Sequence, residues 1–70
     1  MTENGWKPNT ALKTVLMERG MTQRDLARKA GVSEYYLSMH IHGKFILDSA
    51  SKMKIALILG KEEAELFANV

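Results

Sequence analysis

A chain of 70 residues makes one domain, and at that length folding removes only about 60% of the surface from water, leaving a thin core. The absence of cysteine excludes a disulfide framework and thiolate metal sites and suits a reducing compartment. The net charge of +2 is uneven: from Arg19 to Lys54 seven basic residues (Arg19, Arg24, Arg28, Lys29, Lys44, Lys52, Lys54) face three acids (Asp25, Glu34, Asp48), whereas beyond Ile55 Lys61 faces Glu62, Glu63 and Glu65. A positive middle favours a polyanionic partner.

Residues 1–8 read as a flexible arm holding Trp6 and the single proline, Pro8, and residues 9–70 as the domain. Gly20, Gly31, Gly43 and Gly60 each close a stretch of helical spacing, where glycine commonly ends a helix. The first predicted helix runs from about Asn9 or Thr10 to Arg19, with Leu12, Val15 and Leu16 as its apolar stripe. The second starts at Thr22, where Thr22-Gln23-Arg24-Asp25 reads as a capping box; Leu26, Ala27 and Ala30 face inward, and it stops at Gly31. The third is capped by Ser33 and runs to about Ile41, with Leu37, His40 and Ile41 inside. The fourth, capped by Asp48 or Ser49, is expected to turn Met53, Ile55, Ala56 and Leu59 inward. A last short turn holds Leu66 and Phe67. No stretch alternates with period two for long enough to form a sheet, so the expected fold class is all-α.

The second and third helices are joined by the tight turn Ala30-Gly31-Val32-Ser33. The small Ala27 lets the helices cross closely, Gly31 makes the corner, and the apolar Val32 pins the turn to the core. That is helix-turn-helix geometry, in which the second helix of the pair enters a DNA major groove. The same hairpin would also suit another small helical bundle.

Thr22-Gln23, Leu26-Ala27, Gly31-Val32-Ser33, Leu37-Ser38 and Gly43-Lys44 resemble the pattern of the XRE, or lambda-repressor-like, helix-turn-helix family. The similarity continues through Ile55-Ala56 and Leu59-Gly60 to Leu66-Phe67 and so covers about residues 12–67. The resemblance implies a five-helix DNA-binding domain with the helix-turn-helix in helices 2 and 3. It also implies that Glu34, Tyr35, Ser38 and Met39 contact bases, that Gln23 contacts a phosphate and braces the recognition helix, and that Tyr36, His42 and Lys44 lie near the duplex backbone. The chemistry is compatible: glutamate can accept from cytosine N4, and tyrosine or methionine offers apolar surface to a thymine methyl. Lys44, with the outward Arg24 and Arg28, could neutralise phosphates. Two departures stand out. The family often has arginine where Leu16 stands and glutamate where Ile41 stands; replacing a buried ion pair on both sides by apolar residues is often neutral, so Leu16 is expected against Ile41. The recognition helix also carries no lysine or arginine, and its first exposed residue is acidic.

Other signals are weaker. His40 and His42, two apart on a helix, point in different directions and do not chelate one ion; His40 fits a packed position at the edge of the core. Ser49-Ala50-Ser51-Lys52 matches Ser-x-x-Lys without companion motifs, and no nucleophile–base pair or phosphate-cradling loop is present. No metal, cofactor, small-molecule ligand or enzymatic activity is expected. Leu57 and Ile58 fall outside the core stripe of the fourth helix: either Trp6 or the C-terminal tail covers them, or they form a homodimer interface. No apolar run approaches the roughly 20 residues that span a bilayer, and Met1-Thr2-Glu3-Asn4-Gly5 lacks a signal-peptide pattern, so a cytoplasmic protein without a membrane partner is expected. The leading functional expectation is a transcription regulator, a repressor of phage or prophage origin, that binds a double-stranded DNA operator as a homodimer. The alternative is a protein-interaction or antitoxin-like module on the same scaffold with weak DNA binding.

Overall fold

The computed structural model describes residues 7–68, and among them there are five helices and no strands: α1 (Thr10–Glu18), α2 (Gln23–Ala30), α3 (Glu34–Ile41), α4 (Ser49–Leu59) and α5 (Glu63–Phe67). Trp6 lies outside the described residues. Local chemistry fixes most helix starts. Asn9 Oδ1 accepts from the Leu12 amide at 2.9 Å. At α2, Thr22 Oγ1 accepts from the Asp25 amide and the Asp25 carboxylate accepts from the Thr22 amide, the reciprocal capping box expected there. Asp48, rather than Ser49, caps α4 by accepting from the Ser51 amide. Ser33 stands at the N-cap of α3, but its hydroxyl makes no capping bond.

The helices close around Leu12, Leu26, Leu37, Ile55, Leu59 and Leu66, all with essentially no exposed surface. Helix α2 packs on α3 and α4, α5 bridges α1 and α4, and α1 reaches α3. Leu16 and Ile41 are both buried in this one core. The connection after α3 adds Leu47 to the core and leans Phe45 against it.

Helix α4 corrects one expectation. Met53 does not face the core but is 53% exposed. The buried arc of α4 is Ile55, Ala56 and Leu59; at about 100° per residue Met53 lies roughly 115° round from its centre. Met53, Ala56 and Leu59 are spaced by three, and each three-residue step falls about 60° short of a full turn, so the row drifts off the buried stripe. Lys52 is closer to that arc: half-buried, it holds Nζ 5.7 Å from the centre of the Phe67 ring.

Gly43 shows a constraint beyond ending a helix. Its φ is +79°, and a Cβ there would lie 2.7 Å from Lys7 C and Pro8 N, both backbone atoms. The segment entering α1 thus crosses directly over the exit of α3. At Gly20, also left-handed at φ +62°, an added Cβ would meet nothing within 4 Å. Gly20→Ala should therefore cost only the backbone term, about 1–2 kcal/mol. Gly43→Ala should cost about 2–4 kcal/mol, because steric overlap adds to it. Urea unfolding of the two variants side by side checks this; equal losses would mean that the crossing at Gly43 gives way without cost.

Candidate functional site

The α2–α3 corner is made by Gly31, at φ +69°, a conformation open to glycine without strain. The Val32 amide then donates to the Ala27 carbonyl at 3.0 Å, and the Val32 side chain rests against the core. Helix α3 leaves this corner with Leu37, His40 and Ile41 buried, so its opposite face is turned outward.

A second constraint acts at the other end of α3. The Asn9 amide donates to the Ile41 carbonyl at 2.9 Å. Because Asn9 Oδ1 is occupied by the Leu12 amide, Asn9 Nδ2 is the group that meets His40 Nε2 at 2.9 Å. His40 Nε2 must therefore accept, which puts the ring proton on Nδ1, where it donates to the Phe45 carbonyl at 3.0 Å. Both nitrogens of this buried imidazole are used inside the fold, as suits the packed histidine read from the sequence. Burial holds its pKa below the ordinary histidine value, and the charge of Lys52 acts in the same direction, against the raising effect of the Phe45 carbonyl.

The residues singled out in the sequence divide by their surroundings. Glu34, Tyr35 and Tyr36 are exposed in the first turn of α3, while Ser38 and Met39 are half-buried one turn on. Tyr35 meets Tyr36 edge-on with ring centres 5.3 Å apart, and Tyr36 lies at 4.8 Å on Phe45. The Tyr36 ring is thus anchored to the connection that follows α3. His42 is exposed and its Nδ1 donates to the Ser38 carbonyl at 2.8 Å. Lys44 is exposed just past α3. On α2, Gln23 is half-buried, and Arg24 and Arg28 are exposed one turn apart. Gln23, Arg24 and Glu34 border one shallow depression with Thr22, where Arg24 Nε lies 3.4 Å from Glu34 Oε1.

Leu57 and Ile58 are separated by the structure. Leu57 is 79% exposed, whereas Ile58 is half-buried against the molecule's own core. The exposed Met53 lies one turn before Leu57 on the same side of α4. The sequence reading missed the Asn9–His40 contact and the Arg24–Glu34 pair. Polar residues at one helix start and inside another helix, or opposite charges ten positions apart across a turn, leave no periodic mark.

Residues 9–70 match the model of a helix-turn-helix domain family. The crystal structure of the restriction-modification controller protein C.AhdI from Aeromonas hydrophila is similar to this chain at a TM-score of 0.77 and 25% identity, over 84% of this chain and 89% of that one. Two crystal structures of the clp gene regulator ClgR from Corynebacterium glutamicum are similar at TM-scores of 0.77 and 0.73, each at 28% identity over 87% of this chain and over 65% and 79% of theirs. Comparison with curated protein sequences finds no significant match.

The pH response follows from His40. Its folded pKa is below the unfolded value of 6.5, so the unfolded chain binds the proton more readily, and stability falls as pH drops below about 6.5. Asp25 and Asp48, whose hydrogen bonds from Thr22 and Ser51 hold their carboxyls below 3.8, lose their contributions only in more acid solution. The urea midpoint should therefore decline from pH 7.5 to pH 5.5, and His40→Gln, less stable throughout, should show a flatter profile. Parallel profiles would show that His40 is not the group responsible.

Proposed function

The chain belongs to the helix-turn-helix domain family, and on that premise we propose that it is a DNA-binding transcription regulator, a repressor that occupies its operator with α3 in the major groove. The observation that carries this reading is the division of α3 itself. Leu37, His40 and Ile41 are locked into the core, and the corner at Gly31 fixes the approach of α3 to α2. Glu34, Tyr35, Ser38 and Met39 remain on the accessible side. A B-form major groove, about 12 Å wide, admits a helix presented this way. The likeness to a controller protein and a gene regulator supports the same reading.

In this arrangement Glu34, Tyr35, Ser38 and Met39 address base edges. Gln23, Arg24, Arg28, Tyr36, His42 and Lys44 address the sugar–phosphate backbone. The positively charged groups sit on α2 and after α3; α3 carries no lysine or arginine and contributes only Tyr36 to the backbone contacts. We further propose that the protein acts as a homodimer, which reads two half-sites about 34–36 Å apart. The exposed apolar residues Leu57 and Met53 on α4 suit such a contact better than Ile58, whose surface is already partly used.

Selection from random DNA duplexes at two salt concentrations tests this. The expected result is an enriched motif with two symmetric halves and an affinity that falls with salt, with a slope of about −0.9 per neutralised phosphate. Lys44→Ala should weaken binding to all sequences alike and reduce the slope by about 1, whereas Met39→Ala should alter preference at one position by about 1–3 kcal/mol. Weak binding with no enriched motif would reject the proposal in favour of a protein-interaction module. Separately, Leu57→Asp should give a folded monomer in sedimentation and weaken operator binding at least about tenfold. A variant that stays dimeric and binds as before would reject this surface.

A further inference from the structure

The Arg24–Glu34 pair is the one ion pair among the described residues, with Arg24 Nε 3.4 Å from Glu34 Oε1 and both side chains more than half exposed. A pair this exposed adds little to stability, and the α2–α3 contact already rests on the buried Leu26, Ala27 and Leu37. Its position is more telling. Glu34 is the first residue of α3 and Arg24 the second residue of α2, so the pair spans the mouth of the helix-turn-helix. A bare carboxylate at the tip of a groove-entering helix would be repelled by the phosphates. With the guanidinium beside it, the pair is locally neutral.

The atoms left over are complementary to a base and a phosphate. Arg24 commits Nε to Glu34 and keeps its two terminal amino groups for another acceptor. Glu34 commits Oε1, and among the described residues its Oε2 accepts nothing. In the major groove a carboxylate oxygen matches the cytosine N4 donor. Guanine and thymine present acceptors to it, and adenine sets N7 beside its amino group. The fork geometry of arginine, which lysine lacks, lets one group bind a carboxylate and a phosphate at once.

We propose that Arg24 is a positioning residue for Glu34, and that the pair reads a cytosine in each half-site as one unit, Arg24 bridging Glu34 to the adjacent phosphate. This rests on the DNA-binding reading and adds a role for Arg24 beyond charge neutralisation. A cytosine preference then depends on a residue that touches no base.

The test repeats the random-duplex selection with the full chain and with its Arg24→Gln and Glu34→Gln variants, each confirmed as folded by circular dichroism. The unmodified chain should enrich cytosine at one fixed position per half-site. Glu34→Gln should move that preference to adenine, whose N6 and N7 suit a glutamine amide. Arg24→Gln should lower the cytosine preference at that position about tenfold while leaving the rest of the motif in place. If Arg24→Gln weakens all sequences equally, reduces the salt slope by about 1 and keeps the cytosine, Arg24 is a phosphate contact alone and the inference is overturned. A cytosine that survives Glu34→Gln overturns it as well. Failure of the unmodified chain to enrich any motif rejects the DNA-binding reading together with this inference, an outcome distinct from the other two.

Discussion

The fold depends on a chain of three hydrogen bonds through its interior: Leu12 amide to Asn9, Asn9 to His40, and His40 to the Phe45 carbonyl. Asn9 and His40 are the buried polar residues of the described chain, and no buried polar side-chain atom there lacks a partner. Burying such groups is tolerable only when each is satisfied, and removing one partner leaves the other with the full desolvation cost. A small apolar core fixes volume well but direction poorly. These bonds, with the Asn9 amide on the Ile41 carbonyl, join the start of α1, the inner face of α3 and the loop after α3 in a single register. Gly43, which lacks a Cβ where Lys7 and Pro8 cross, allows that closure.

The outward face of α3 inherits its position from that inner register. Phe45, whose carbonyl accepts the hydrogen bond from His40 Nδ1, also carries the Tyr36 ring. The aromatic surface of the first turn of α3 is therefore tied to the same interior chain. Tyr36 packs through its ring and is still about half exposed. His42, bonded to the Ser38 carbonyl one turn back, is likewise held to its own helix. Rigid support of this kind keeps groups at the geometry that recognition requires.

Features encoded locally could be read from the sequence, and features made by distant contacts could not. The Thr22/Asp25 capping box needs only a spacing of three, and both of its bonds are present. The inner faces of α2 and α3 follow from helical phase. Leu16 and Ile41, which stand where the family often has an ion pair, are both buried in the core. On α4 the stretch Met53 to Leu59 is apolar at every position but Lys54, so helical phase is ambiguous there: Met53, expected inward, is exposed, and of Leu57 and Ile58 only Leu57 is well exposed. The Asn9–His40 bond joins residues 31 positions apart; helical spacing places His40 inward but carries no sign of which polar group meets it there. For the candidate site, the phase of α3 marks its inner residues, and the candidate outward set comes from the family resemblance. It could not tell that Glu34 meets Arg24, because that contact depends on the angle of the turn.

The placement of charge explains how a recognition helix without basic residues could serve its proposed task. Phosphate attraction is independent of sequence and falls with salt, so basic groups on a reading helix would raise binding to every duplex. Here Arg24 and Arg28 lie on α2 and Lys44 lies beyond α3, beside α3 rather than on it. On the proposed reading, these groups orient the domain, and discrimination comes from α3 through one carboxylate, which Arg24 holds in place, a hydroxyl and apolar surface. Such a helix gains little from a wrong site, and Glu34 opposes any base that presents only acceptors. Specificity is a difference between affinities. On the proposed reading, withholding positive charge from α3 lowers the nonspecific term while leaving the contacts that would distinguish one operator from another.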